Sequence, residues 1–190
     1  LGIPTVQFVG PSIWAWRYER IHKIRQAVSH MLVLFPFEVP LYEKEGVPVT
    51  CVGHPLAQNI PLQPDQAAAR QRLGLNTEGP VLAVLPGSRR SEVQLLSPRF
   101  LQAVQILQRQ HPELVVVVPM VNAQRRAEFD AILQQYPIKH LHVLDQPHLS
   151  QQDRPIAWEA MEAADALLVA SGTATLEAML FKRPMVISYV

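Results

Sequence analysis

Cysteine, glycine, long apolar runs and an excess of one charge are all missing or scarce in this 190-residue chain. Each shortage excludes something. The one cysteine, Cys51, cannot form an internal disulfide, so packing must hold the fold and the expected compartment is reducing. The longest apolar run, LVVVVPMV at 114–121, falls far short of the ~20 residues a helical membrane span needs. Lys and Arg number 17 against 16 Asp and Glu, so no global field draws the chain to nucleic acid. No P-loop, nucleophile elbow or zinc-ligand spacing is present, and no metal or cofactor is expected. His140 and His142 alternate along one strand without a third ligand at clear spacing, and His148 does not supply one. No signal peptide is visible; the chain opens on Leu1, not Met, and closes inside the apolar MVISYV, so it reads as a fragment expected to lack sequence at both ends.

What remains is a globular composition, 48% hydrophobic and 17% charged. From residue 61 the pattern alternates regularly. VLAVL (81–85), LVVVV (114–118), HLHVL (140–144), ALLVA (166–170) and MVISYV read as strands. Continuous apolar runs of this kind belong to strands covered on both faces. Between them lie helical stripes: Phe100, Leu101, Val104 and Leu107, with Ser97-Pro98 as the expected start, and Phe129, Ile132, Leu133 and Tyr136, with Asn122 as cap. Strand–helix alternation predicts right-handed βαβ units: an α/β fold with a parallel sheet flanked by helices.

Residues 1–57 predict the end of a second α/β domain. VQFVGPSIWAWR is a strand running into an aromatic loop, and Ile21, Ile24, Val28 and Met31 fall at helical spacing. The proline-rich GHPLAQNIPLQP predicts a linker over 58–64, with the larger domain at 65–190.

Scarce glycine makes each position informative. Eight glycines stand against 17 prolines, reversing their usual shares of ~7% and ~5%. Gly87 and Gly172 each follow a strand and precede a helix, at the carboxyl edge where parallel sheets bind ligands. In PGSRRSE (86–92), Ser91 and Gln94 fit a capping box, and Gly87 with Ser88 would let a ligand approach the backbone. Arg89 and Arg90 oppose the usual acidic preference of a first helical turn, which an anion there would explain. The plainer reading is an exposed turn with two solvated arginines. In SGTATLEA (171–178), Ser171, Gly172, Thr173 and Thr175 are either caps or a diphosphate site. Glu177 either complements the helix dipole or accepts ribose hydroxyls. Trp14 and Trp16, two residues apart, would share a face in an extended chain. They are either a core or domain-interface anchor or a wall for a sugar or acyl chain. Arg17, Arg20, Lys23 and Arg25 follow, as a solvated face or a contact for anionic headgroups. His54, at the linker, is either a turn residue or part of a cleft.

Six motifs taken together carry a resemblance: PSIWAWR (11–17), FPFE (35–38), GHPL (53–56), LPGSRRSE (85–92), VPMVNAQRR (118–126) and ASGTATLE (170–177). In this order they resemble the bacterial lipid-A-disaccharide synthase family over essentially the whole chain. The resemblance implies a GT-B glycosyltransferase with two Rossmann-like domains. It implies inverting transfer of 2,3-diacylglucosamine from its UDP donor to 2,3-diacylglucosamine 1-phosphate, giving a β-1,6 disaccharide and UDP. Residues 1–57 would close the acceptor domain and 65–190 would form most of the donor domain. Arg89 would act in catalysis. Gly87, Ser88, Ser171, Gly172, Thr173, Thr175 and Glu177 would bind UDP, His54 and Asn122 would face the interdomain cleft, and Trp14, Trp16 and Arg17 would lie toward acceptor or membrane. The implied location is the cytoplasmic face of the inner membrane, peripherally bound, and oligomeric state is left open. The family's proposed general base has no counterpart here, so the chain by itself is expected to be catalytically incomplete. A related enzyme acting on UDP-N-acetylglucosamine, or a non-catalytic nucleotide-binding module, are the other readings.

Overall fold

A computed structural model describes residues 2–75, 78–145 and 154–189. His148 lies outside them. The chain divides into two compact units, Leu1–Asn59 and Ile60–Val190.

The first unit is built on three parallel strands in the order β1 (Val6–Phe8), β2 (His30–Val33), β3 (Val49–Cys51). Helix α1 (Ile21–Ala27) joins the first two, and α2 (Val39–Lys44) joins the next two. Ile13, Ile21, Ile24, Met31, Val33, Tyr42 and Val47 form its core. The helical stripe expected to reach Met31 stops early. The Thr5 hydroxyl donates to the Ala27 carbonyl, and the Ser29 and His30 N–H groups both turn to the Thr5 carbonyl. Val28 is therefore extended, and Met31 reaches the core from β2, opposite Val49. A single helical turn, α3 (Leu56–Asn59), ends the unit.

The second unit carries a five-stranded sheet in the order β6 (Leu141–Asp145), β5 (Val115–Met120), β4 (Val81–Leu85), β7 (Ala166–Ala170), β8 (Met185–Ser188). Every pairing is parallel. All residues of β4 and β5 are buried, which is why their sequences are apolar throughout rather than alternating. The chain winds outward from β4 to β6, then returns to the other side of β4 for β7 and β8. The order thus reverses between β4 and β7.

Among the described residues α4 (Gln66–Arg72) precedes β4, and α5 (Arg90–Gln110), α6 (Ala123–Leu133), α7 (Ile156–Ala163) and α8 (Thr173–Leu180) lie between successive strands. Ser97-Pro98 does not start a helix; α5 begins at Arg90 and runs straight through Pro98. An interior proline costs ~3 kcal/mol or more. The α5 stripe of Val93, Leu96, Phe100, Leu101 and Val104 is buried against β4, β5 and α6. At ~1.5–3 kcal/mol per buried large side chain, that face outweighs one missing hydrogen bond.

Two carboxylates, Glu159 and Glu162, are buried on α7 at 1% and 2% exposure. Arg72 reaches both at 2.8 Å, and Arg154 reaches them at 3.0 and 2.7 Å. The Asp65 N–H donates to Glu162 at 2.8 Å. Buried charges persist only when paired in this way. The network fastens α4 and the turn before it to α7.

Candidate functional site

The loops that follow β4 and β7 flank the reversal in strand order, and a cavity of about 290 Å³ opens between them. Gly87, Ser88, Arg89 and Glu92 line one side, and Ser171, Gly172 and Thr173 the other. The end of β5 (Pro119 to Val121) and the entry to α7 (Pro155 to Ala157) complete the wall with mostly apolar surface. Five expected UDP-site residues and Arg89 are thus gathered on one cavity, five of the six within the glycine-bearing turns.

The two loops treat their amide groups differently. At the start of α5 the exposed N–H groups of Ser88 and Arg89 both donate to Glu92 Oε2, each at 3.0 Å. The Arg89 guanidinium donates to Glu92 Oε1 at 3.2 Å. Glu92 stands three residues after the N-cap and satisfies the helix start from within, as N3 acids do. The capping pair expected from Ser91 and Gln94 is not the one used. Gly87 also has a different cause from the one expected. Its φ is +112°, and a Cβ there would collide with Glu92 Oε2 and lie 2.6 Å from Glu92 Cβ. The glycine makes room for an internal carboxylate.

At the start of α8, Gly172 is the N-cap, with φ +155° and no side-chain cap. A Cβ on it would meet nothing within 4 Å. The Thr175 hydroxyl donates back to the Gly172 carbonyl at 2.7 Å. The Ser171 N–H donates to the Ser188 carbonyl at 2.7 Å, which ties the loop to β8. This helix end presents its dipole and first N–H groups without an internal anion, the arrangement that suits a phosphate.

Thr175 and Glu177 do not line the cavity. Glu177 lies one turn further along α8, half-buried, and burial raises its carboxyl pKa above the ordinary 4.5. The neighbouring Trp158 indole N–H works against that rise, though it falls short of hydrogen-bond geometry. Folding therefore favours the protonated form. Wild-type stability should fall, relative to Glu177→Gln, as pH rises above about 4.5. Thermal melting of both proteins at pH 4 and pH 7 checks this: an unchanged difference would show that the carboxylate is not strained by burial.

Asn122 caps α6, accepting from the Arg125 N–H at 2.9 Å, directly after the wall residue Val121. Arg90 is largely exposed and lies 3.7 Å from Glu128, as a surface arginine would. In the first unit, His54 Nδ1 accepts the Leu56 N–H at 3.2 Å, and its ring sits 6.0 Å from that of Phe35. Residues 13–15 form a turn, not an extended strand, so Trp14 and Trp16 do not share a face by alternation. Trp14 packs edge-on against Phe37 at 5.3 Å, and Arg17 stacks over Trp16 at 4.3 Å. Both indoles are more than half exposed, which removes the core-anchor reading. Among the described residues, no group of three His, Cys, Asp or Glu is placed to hold a metal.

Glu92 is the residue that sequence reading passed over. Its signal was an acid at N3 of the helix, obscured by taking Ser91 as the cap.

A parallel sheet with reversed strand order and a cavity at the reversal places the second unit in the doubly wound α/β class, whose ligands bind at that point. Residues 2–190 match the family model described as Lipid-A-disaccharide synthetase, and the chain belongs to that family. A lipid-A-disaccharide synthase of Bordetella petrii is 72% identical over 188 residues, 99% of this chain and 48% of its own length. Those of Bordetella avium and Paraburkholderia xenovorans are 67% and 53% identical, covering 100% and 99% of this chain. The chain spans about half the length of these curated relatives. A solved Staphylococcus aureus TarM structure aligns over 93% of this chain and 34% of its own, at 10% identity and a TM-score of 0.39, too low to carry an argument.

Proposed function

We propose that this chain carries the UDP-sugar site of a lipid-A-disaccharide synthase. The enzyme transfers 2,3-diacylglucosamine from UDP-2,3-diacylglucosamine to the 6-hydroxyl of 2,3-diacylglucosamine 1-phosphate. The observation that carries the reading is the cavity at the strand-order reversal, with an uncapped helix start on one side and Arg89 on the other.

In an inverting transfer the acceptor oxygen attacks the anomeric carbon, the bond from that carbon to the UDP oxygen breaks, and the hydroxyl proton passes to a base. Negative charge then grows on the departing diphosphate. The N–H groups at the α8 start would bind that diphosphate in both ground and transition states. The exposed Arg89 guanidinium would meet the developing charge, which lowers the barrier only as far as it binds the transition state more tightly. Neither step requires a metal. No residue described here is assigned as the base. The mostly apolar wall from β5 and α7 would shield one side of a bound donor from water. Glu177 is proposed for the ribose hydroxyls, a role that gives a half-buried carboxylate a use. Reaching them needs the nucleotide to extend past the cavity wall along α8.

The test is turnover by a full-length protein carrying this chain, with UDP-diacylglucosamine and UDP-N-acetylglucosamine offered separately. Turnover of the acylated donor alone is expected. Use of the unacylated donor would favour a relative acting on UDP-N-acetylglucosamine, and UDP binding without turnover a non-catalytic module. In the same protein Glu177→Ala should weaken UDP binding measured by calorimetry, and equal affinity would remove the ribose role.

Acylated substrates require a lipid surface. No helix among the described residues is long and apolar enough to cross a membrane. We place the contact on the exposed Trp14, Trp16 and Phe37 with the solvated Arg17, Arg20, Lys23 and Arg25, on the cytoplasmic face of the inner membrane. Co-sedimentation with vesicles should then rise with anionic lipid and fall with salt, and a response to neither would exclude these residues.

A further inference from the structure

We infer that Glu92 is a positioning residue for the proposed transfer: it holds Arg89 at the cavity and closes the first loop to phosphate. The inference rests on the function proposed above.

One carboxylate takes three donors, two from the backbone of Ser88 and Arg89 and one from the Arg89 guanidinium. The Glu92 side chain is only 17% exposed, whereas that of Arg89 is 81% exposed. Glu92 is therefore the fixed member of the pair and Arg89 the adjustable one. Gly87 supplies the space, since any Cβ at that position would strike the carboxylate. Arg89 and Glu92 also stand in the wall of a second cavity of about 250 Å³, with Ser91, Leu95 and Ser171. They form a partition between two spaces. A guanidinium without its partner could turn into either one. With Glu92 holding a single N–H, the remaining donors stay at the partition, enough for a bidentate grip on a phosphate.

The same carboxylate decides which loop takes the diphosphate. A phosphate brought to the Ser88 N–H would meet a full negative charge already bonded to that donor. At the α8 start Gly172 has no side-chain cap, so no carboxylate caps that helix end. Glu92 thus directs the diphosphate to α8 while holding the arginine that completes its coordination.

The experiment is steady-state kinetics on a full-length protein carrying this chain, with UDP-diacylglucosamine as donor. Four variants are needed: Glu92→Ala, Glu92→Gln, Arg89→Ala and the double Glu92→Ala/Arg89→Ala. Misplacing a group by about 1 Å costs ~10²-fold, so Glu92→Ala should lower kcat by ~10²-fold with the donor KM changed less than about threefold. The double variant should be no slower than Arg89→Ala alone, because Glu92 acts through Arg89. Glu92→Gln keeps the shape and a carbonyl acceptor for the two N–H groups. It should melt as the wild type does yet lose kcat. Wild-type kcat in Glu92→Gln or multiplied losses in the double variant would each overturn the inference. Absence of UDP binding by the wild type would overturn the functional reading as well, so the two failures are distinguishable.

Discussion

Arg89→Ala should lower turnover of the full-length protein by ~10²–10³-fold while leaving its melting temperature unchanged, the scale seen when one transition-state charge donor is removed. The side chain is 81% exposed, so its truncation opens no cavity in the core. Its pairing with Glu92 is a partly exposed contact, and such pairs contribute little to stability. Glu92 keeps both backbone N–H partners when the guanidinium is gone, so no buried charge is stranded. The loss should appear in kcat more than in the donor KM, since the charge that Arg89 meets grows only as the bond breaks. Arg89→Lys should restore part of the rate. An ammonium supplies the charge without the planar fork that engages a carboxylate and a phosphate together. Wild-type turnover in Arg89→Ala would end the assignment.

Gly87→Ala is the substitution expected to damage both stability and rate. The residue sits at φ +112°, where a side chain is strained, and its new methyl would lie 2.6 Å from Glu92 Cβ. A Cβ–Cβ approach of that kind is not relieved by a rotamer change, because the obstacle is the root of the side chain. Either the loop or the first turn of α5 must shift. Backbone strain alone costs ~1–3 kcal/mol, which corresponds to a fall of roughly 4–10 °C in melting temperature for a domain of this size. Dislodging Glu92 then releases Arg89, so kcat should fall as well. Gly172→Ala is the control. A methyl there meets no atom within 4 Å, so only the backbone cost remains and the thermal loss should be the smaller. Equal losses at the two glycines, read by differential scanning calorimetry, would show that Glu92 does not set the requirement at Gly87.

Much of this was readable in the residues because burial writes plainly. VLAVL and LVVVV are apolar throughout because β4 and β5 are covered on both faces, and Phe129 marks the inner face of α6 as its spacing predicts. The two glycine-bearing turns were visible because glycine is rare. Their placement on either side of the reversal was not, since strand order is a property of the assembled sheet and leaves no local mark. Pro98 misled because a local helix-start signal was overridden by the buried face of a 21-residue helix. Met31 misled because helical spacing continued by coincidence across a turn closed by Thr5, which lies far away in sequence. Glu92 escaped notice for a subtler reason. Its partners are backbone N–H groups, and nothing in a side-chain pattern announces which carboxylate will fold back onto them.

The buried ion network carries a mechanical consequence. Asp65 lies at the chain's entry to the second unit and is bonded to Glu162, and the same helix opens with Pro155 to Ala157 in the cavity wall. Arg72 and Arg154 clamp this assembly from two sides. The entry segment and that wall are therefore held by one set of buried contacts. The opposite rim is anchored separately, Glu92 tying it to α5. Loss of either arginine would therefore weaken the hold on the entry segment and on the cavity wall at once.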